Sequence, residues 1–213
     1  DRRARGGGAR GGEWACGGRR RRGGQATGWA LPRRLGGGVG GPAGCYGGGR
    51  NREAESGGHG RVGPGVGGRM VAGRIRVTGD AARAAGASGR GGLLIIEGDT
   101  SSRCGISMKG IDIVVGGSVG HMSAFMAQAG HLVVLGDAGG DLGDSIYEAI
   151  VFVRGRVESL GADCVEKEMG PEHLEGLAGL LEAAEMNADP ADFRRYGSAR
   201  KLYHFNVDHA GDY

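Results

Sequence analysis

Branched aliphatic residues recur through the middle of the chain with a period of 19. Ile75, Leu94, Ile113, Leu132 and Val151 form one column, and Val77, Ile96, Val115, Val134 and Val153 form a second, two positions on. Gly79, Gly98, Gly117, Gly136 and Gly155 follow after two more positions. Apolar residues at i and i+2 are strand periodicity, because side chains on one face of a strand recur every second residue. The i+3 and i+4 stripe of a helix is missing from residues 70–167. A period near 20 residues over consecutive units marks a solenoid, in which each unit buries its core by stacking on the next. The pattern predicts an all-β fold: a right-handed parallel β-helix of about five 19-residue coils, with the two columns as interior ladders.

The smaller columns predict how each coil turns. The glycines that close the strands are expected at corners, where a positive φ or close backbone stacking excludes a Cβ. Gly86, Gly105, Ala124, Gly143 and Ala162 suit a second tight corner. Gly73, Gly92, Gly130 and Ala149 share another column, broken by Ile111. Asp112 and His131 fall at outward positions. Between the interior columns lie Arg76, Ile95, Val114, Val133 and Phe152, four of them apolar although they point away from the core. Strands apolar on both faces are covered on both, so Ile95, Val114, Val133 and Phe152 are expected to be covered in part by a helix of the chain and for the rest by a partner protein.

The cover within the chain is legible too. After Pro171, a residue suited to the first helical position, Leu174, Leu177, Leu180, Leu181 and Ala184 recur at helical spacing. Gly176 and Gly179 weaken this helix by about 1 kcal/mol each, so it needs a surface to lie on. Asp189-Pro190 signals a second helical start, with Phe193 on a short turn. Leu202 to Val207 alternates as a tail strand would.

Charge divides the chain. Residues 1–69 hold 14 Arg against 4 acidic residues, a net of +10, and residues 70–213 carry a net of −7. The first segment also holds 26 of the 50 glycines and lacks Lys, Ile, Met and Phe, so it cannot build a core. Three readings apply to it: an Arg-Gly-Gly arm that binds RNA phosphates, a flexible linker, or a GC-rich gene translated in a shifted frame. The chain begins at Asp1 rather than Met, and the repeat stops short upstream of Met70, as though earlier coils were lost. The expected organisation is a low-complexity segment over 1–56, the β-helix over 57–169, and a helix and tail over 170–213.

No chemistry stands out. The Asp column of Asp80, Asp99 and Asp137 could be a calcium ladder or the carboxylates of a polysaccharide-cleaving β-helix, but Ser118 and Arg156 interrupt it, and Gly-Asp is a common turn pair. The glycine runs 136–143 and 86–91 look like phosphate cradles, yet a dinucleotide site needs a helix opening at the last glycine, and strand follows here. The six histidines show no HxH or HxxxH spacing. Cys16, Cys45, Cys104 and Cys164 form no CxxC pair, which fits free thiols in a reducing cytoplasm. The sequence also has no apolar run of membrane length. Catalytic, cofactor and metal residues are all expected to be absent.

The glycine pattern, with Gly98-Asp99, Cys104-Gly-Ile-Ser-Met-Lys-Gly110, Gly117-Ser-Val-Gly120 and Gly136-Asp-Ala-Gly139, resembles the GXGXG domain. That domain is the β-helix at the C-terminus of the large subunit of glutamate synthase, found also as a separate chain of formylmethanofuran dehydrogenase. The stretch Ser101 to Gly110 and the tail Phe193 to Arg200 are most similar to a stand-alone form, the glutamate synthase-like subunit of N-methylglutamate synthase (methylamine–glutamate N-methyltransferase). The resemblance covers about residues 57–213 and is strongest over 86–213; residues 1–56 match nothing in it. It implies a non-catalytic scaffold in an enzyme complex of methylamine metabolism. The partners it implies are a class II amidotransferase-like subunit and an FMN-dependent glutamate synthase-like subunit that also holds an iron–sulfur cluster. Without an apolar run of membrane length, no membrane partner is expected, and a nucleic-acid partner would rest wholly on the Arg/Gly segment 1–56.

Overall fold

The computed structural model describes residues 53–56 and 62–201. Six short strands stack in parallel: β1 (Glu53–Ser56), β2 (Arg74–Val77), β3 (Leu93–Ile96), β4 (Lys109–Val115), β5 (Ala129–Val134) and β6 (Ile150–Val153). The rungs β2 to β6 make about four turns of a β-solenoid. Its register is the predicted one. Ile75 pairs with Leu94, Leu94 with Ile113, Ile113 with Leu132 and Leu132 with Val151, while Val77, Ile96, Val115, Val134 and Val153 stack in the same way. From Leu94 on, both columns are fully buried in one interior core. Strand β1 extends this sheet into the stretch that composition marks as unable to form a core. The remaining expectations for residues 1–52, and the tail strand over 202–207, lie outside the described residues.

Opposite the strands, each coil returns through a compact wall of segments 65–69, 84–88, 103–107, 122–126 and 141–145. In each segment every second residue has a positive φ. Examples are Ala84, Gly86 and Ser88 (59°, 70° and 54°) and Met122, Ala124 and Met126 (56°, 59° and 51°). An L-residue in this left-handed conformation costs about 1–2 kcal/mol, offset here by a continuous hydrogen-bond ladder. Ala84 N–H donates to Ser102 O (3.0 Å) and Ser88 N–H to Ile106 O (2.9 Å), both toward the next coil, while Gly86 N–H donates back to Val66 O (2.7 Å). The predicted second corner is thus real from Gly86 to Gly143, and Ala162 departs from it.

The break at Ile111 has a simple cause. Gly73, Gly92 and Gly130 turn with φ of 95°, 89° and 95°. In the coil between the last two, the register shifts between Lys109 and Asp112, and Gly110 takes the turn at φ 125°. This β-bulge frees Ile111 to bury its side chain completely in the core.

After β6 the chain forms β7 (Cys164–Lys167), helix α1 (Pro171–Ala183), a 3-10 turn (Pro190–Asp192) and β8 (Arg194–Ser198). Strand β8 inserts antiparallel between β6 and β7, pairing Val151 with Tyr196 and Glu166 with Tyr196. It covers the edge that β6 would otherwise expose, and buried Tyr196 seals the interior core.

Helix α1 runs along the solenoid axis over the outer face of the strands. Thirteen residues at 1.5 Å each give about 20 Å, close to the roughly 19 Å of four strand spacings. Leu177, Leu181 and Ala184, with Phe193, form a second core against Ile95, Val114, Val133 and Phe152. Those four side chains are at most 1% exposed, so the expectation of a partner contact at this column is corrected: the chain covers it by itself. Arg76, the polar member of that column, lies under the helix C-terminus. It donates to Ala184 O (2.8 Å) and pairs with Glu185 (3.2 Å) and Glu97 (2.7 Å), placing a cation where the helix dipole favours one.

Gly176 and Gly179 sit on the exposed face of α1, and a Cβ at either would meet nothing within 4 Å. Gly176→Ala and Gly179→Ala should each stabilise the fold by about 1 kcal/mol, measured as a raised urea midpoint with an unchanged slope.

Candidate functional surface

None of the five predicted structural glycines, Gly79, Gly98, Gly117, Gly136 and Gly155, has a positive φ. Where their surroundings are described, from Gly98 on, the reason for glycine is stacking. Gly117 N–H donates to Gly98 O (3.0 Å), Gly136 N–H to Gly117 O (2.9 Å) and Gly155 N–H to Gly136 O (3.0 Å). A Cβ on Gly117 would lie 2.8 Å from the carbonyl carbon of Gly98, and one on Gly136 2.7 Å from that of Gly117.

The neighbouring Asp column is a second ladder at the same corner. Asp80 Oδ1 accepts from Asp99 N–H (2.9 Å), Asp99 Oδ1 from Ser118 N–H (2.7 Å), and Asp137 Oδ1 from Arg156 N–H (2.7 Å). Ser118, which interrupts the column by residue type, keeps its role: its Oγ accepts from Asp137 N–H (3.0 Å). The carboxylates therefore join coil to coil. Among the described residues no group of three or more His, Cys, Asp or Glu could hold a metal ion.

The glycine runs resolve in the same way. Gly139 N–H donates to Val119 O (2.9 Å), and Gly86 N–H to Val66 O. These amides serve the coil ladder instead of cradling a phosphate.

Cys104 is completely buried, and its thiol is pushed up from 9.0 to about 12, chiefly by burial, with a weaker opposing effect of the Thr100 hydroxyl. Cys164 rises to about 12 as well, through burial and then the charges of Asp163 and Asp144. A nucleophilic cysteine needs the thiolate near neutral pH, so neither thiol is one. Their protonation does tie stability to pH. The folded pKa lies above the unfolded one, so this stability is whole below pH 9 and falls as the pH rises toward 12. Each thiol contributes a slope of about 1.4 kcal/mol per pH unit in that window. Burial raises the Tyr196 phenol too, with the same sign. Urea midpoints should hold steady up to about pH 8.5 and drop above about pH 9, and Cys104→Ala should make the drop shallower.

His131 Nδ1 lies 2.8 Å from Asp112 Oδ1 across β4 and β5, and its ring stacks on Phe152 with centroids 6.3 Å apart. Both face outward as predicted and both are half-buried. Their neighbours along this column, Leu93 and Ile150, are apolar members of the outer core. The pair bridges two rungs.

A shallow depression of about 130 Å³ opens where β8 meets the turn before β6, lined by Tyr147, Ile150, Lys167, Arg195, Ser198 and Arg200 among others. Arg200 pairs with Glu148 (3.0 Å), and Arg195 Nε donates to Glu168 O (2.8 Å). Sequence reasoning misses it because β8 carries no apolar alternation and its neighbours are distant in the chain. Among the described residues, no helix is long and apolar enough to cross a membrane.

No protein-family model matches the chain, and no solved structure matches it. Among curated proteins, Protein GlxC of Rhizobium meliloti (strain 1021) is 58% identical over 96 residues, which make up 45% of this chain and 42% of that protein. The chain spans less than half the length of the relative it matches.

Proposed function

We propose that this chain is the β-helix subunit of a glutamate synthase-related enzyme complex and that it acts as a scaffold, with the chemistry on partner subunits. The observation that carries this reading is the use of the polar corner. Carboxylates and glycine amides that could serve a catalytic β-helix are engaged in coil-to-coil hydrogen bonds, and both described thiols are held protonated. The GXGXG resemblance and the similarity to Protein GlxC support the same family.

The finer proposal is N-methylglutamate synthase, which joins methylamine to glutamate and releases ammonia. A class II amidotransferase-like subunit and a glutamate synthase-like subunit with FMN and an iron–sulfur cluster would flank the rigid solenoid in the cytoplasm. Co-expression of the three chains should give a complex that forms N-methylglutamate from methylamine and glutamate, with activity lost when this chain is omitted. The purified chain alone should be inactive. Activity from the chain alone, or full activity of the other two without it, would reject the scaffold role.

A further inference from the structure

The wall opposite α1 changes character along the solenoid axis. At its N-terminal end, Arg69 and Arg103 on the wall and Arg83, Arg90 and Lys109 along its edges are all exposed. Among the described residues none of the five is in an ion pair. In the middle, Ile106, Met122, Phe125 and Met126 belong to neither hydrophobic core, and Met126 is 37% exposed. At the far end lie Asp141 on the wall and Glu158 at its edge, both exposed. Asp141 Oδ2 lies 3.5 Å from His121 Nδ1.

A basic–apolar–acidic order along one face is self-complementary. A two-fold axis normal to the wall, through the 122–126 segment, reverses the axial direction and the left–right sense together. It brings Met122 over Met126 of the second copy and the two Phe125 rings together near the axis. With segments about 4.8 Å apart, it also brings Lys109 within reach of Asp141 of the second copy. Farther out, Arg90 reaches Glu158 of the second copy. An isologous contact repeats each such pair twice, so a charge pattern of this kind counts double.

We propose that this wall is the interface of a two-fold homodimer, in which an apolar Met122–Phe125–Met126 centre is flanked by Lys109–Asp141 and Arg90–Glu158 pairs between copies. A second copy answers all three zones at once. A nucleic acid would answer the basic end alone and be repelled by Asp141 and Glu158, and an acidic protein would leave the acidic end opposed. The contact leaves α1 and the depression at β8 free, and it does not depend on the proposed reaction.

Sedimentation equilibrium of the full chain at low salt should show a reversible monomer–dimer equilibrium that weakens as salt is added. Phe125→Glu should give a monomer with unchanged circular dichroism and melting temperature. Lys109→Glu should weaken dimerisation at least about tenfold, and adding Asp141→Lys to it should restore most of the loss. A chain that stays monomeric at high micromolar concentration would overturn the proposal. So would open-ended association, a dimer indifferent to both Phe125→Glu and Lys109→Glu, or charge reversal without rescue.

Discussion

Gly117→Val is expected to leave no folded protein. The Cβ alone would sit 2.8 Å from the carbonyl carbon and oxygen of Gly98 and closer still to the Asp99 carboxylate. Neither can yield. Gly98 is fixed to Gly117 by a 3.0 Å hydrogen bond, Gly117 to Gly136 by one of 2.9 Å, and Asp99 holds Ser118 N–H at 2.7 Å. Relieving the clash means prising two coils apart, which also opens the interior ladder at Ile96 and Val115. Overpacking of a rigid site costs about 1–3 kcal/mol for a methylene or so. A branched side chain driven into backbone, with ladder bonds lost on both sides, should exceed the roughly 4–5 kcal/mol that marks an exceptional single substitution. Gly117→Ala should still cost about 2–3 kcal/mol, although alanine adopts the local φ freely. Soluble Gly117→Val with a native melting temperature would mean that the coils are not in this register.

The repeat makes most of this fold readable, because stacking turns a 19-residue period directly into contacts. The ladders from Ile75 to Val151 and from Val77 to Val153 and the outer column all follow from it, while the apolar face of α1 follows from its own helical spacing. By residue type the Asp column reads as solvated turns; its role as a ladder emerges only when the next coil's amide is placed above each carboxylate. Ser118 looks like an interruption for the same reason, since residue type hides a shared acceptor geometry. The bulge at Gly110 is equally invisible in sequence: one residue's shift moves the turn off Ile111 without disturbing Ile113 or Val115. Strand β8 escapes notice because Arg194-Arg195-Tyr-Gly-Ser has no apolar alternation; it forms by tertiary pairing with β6 and β7. The depression beside it escapes with it.

Phe152→Lys tests the correction to the outer face. As a partner contact, Phe152 could become lysine with little effect on the isolated chain. The structure implies the opposite, because Phe152 is 1% exposed, stacked on His131 and enclosed by α1 in the outer core. Truncating a buried phenylalanine costs about 3–5 kcal/mol, and an ammonium in its place adds the penalty of an unpaired buried charge. The helix should detach or the whole domain melt, seen as lost helical dichroism and a much lower urea midpoint. Phe152→Leu keeps most of the volume and should cost about 1–2 kcal/mol, which leaves a folded protein to measure. Leu177→Ala should cost about 2–5 kcal/mol. Because both side chains belong to the same outer core, a double-mutant cycle between Phe152→Leu and Leu177→Ala should show a coupling of at least about 0.5 kcal/mol. A coupling of zero, with Phe152→Lys as stable as the parent, would free this face for another protein and restore the reading that the helix now displaces.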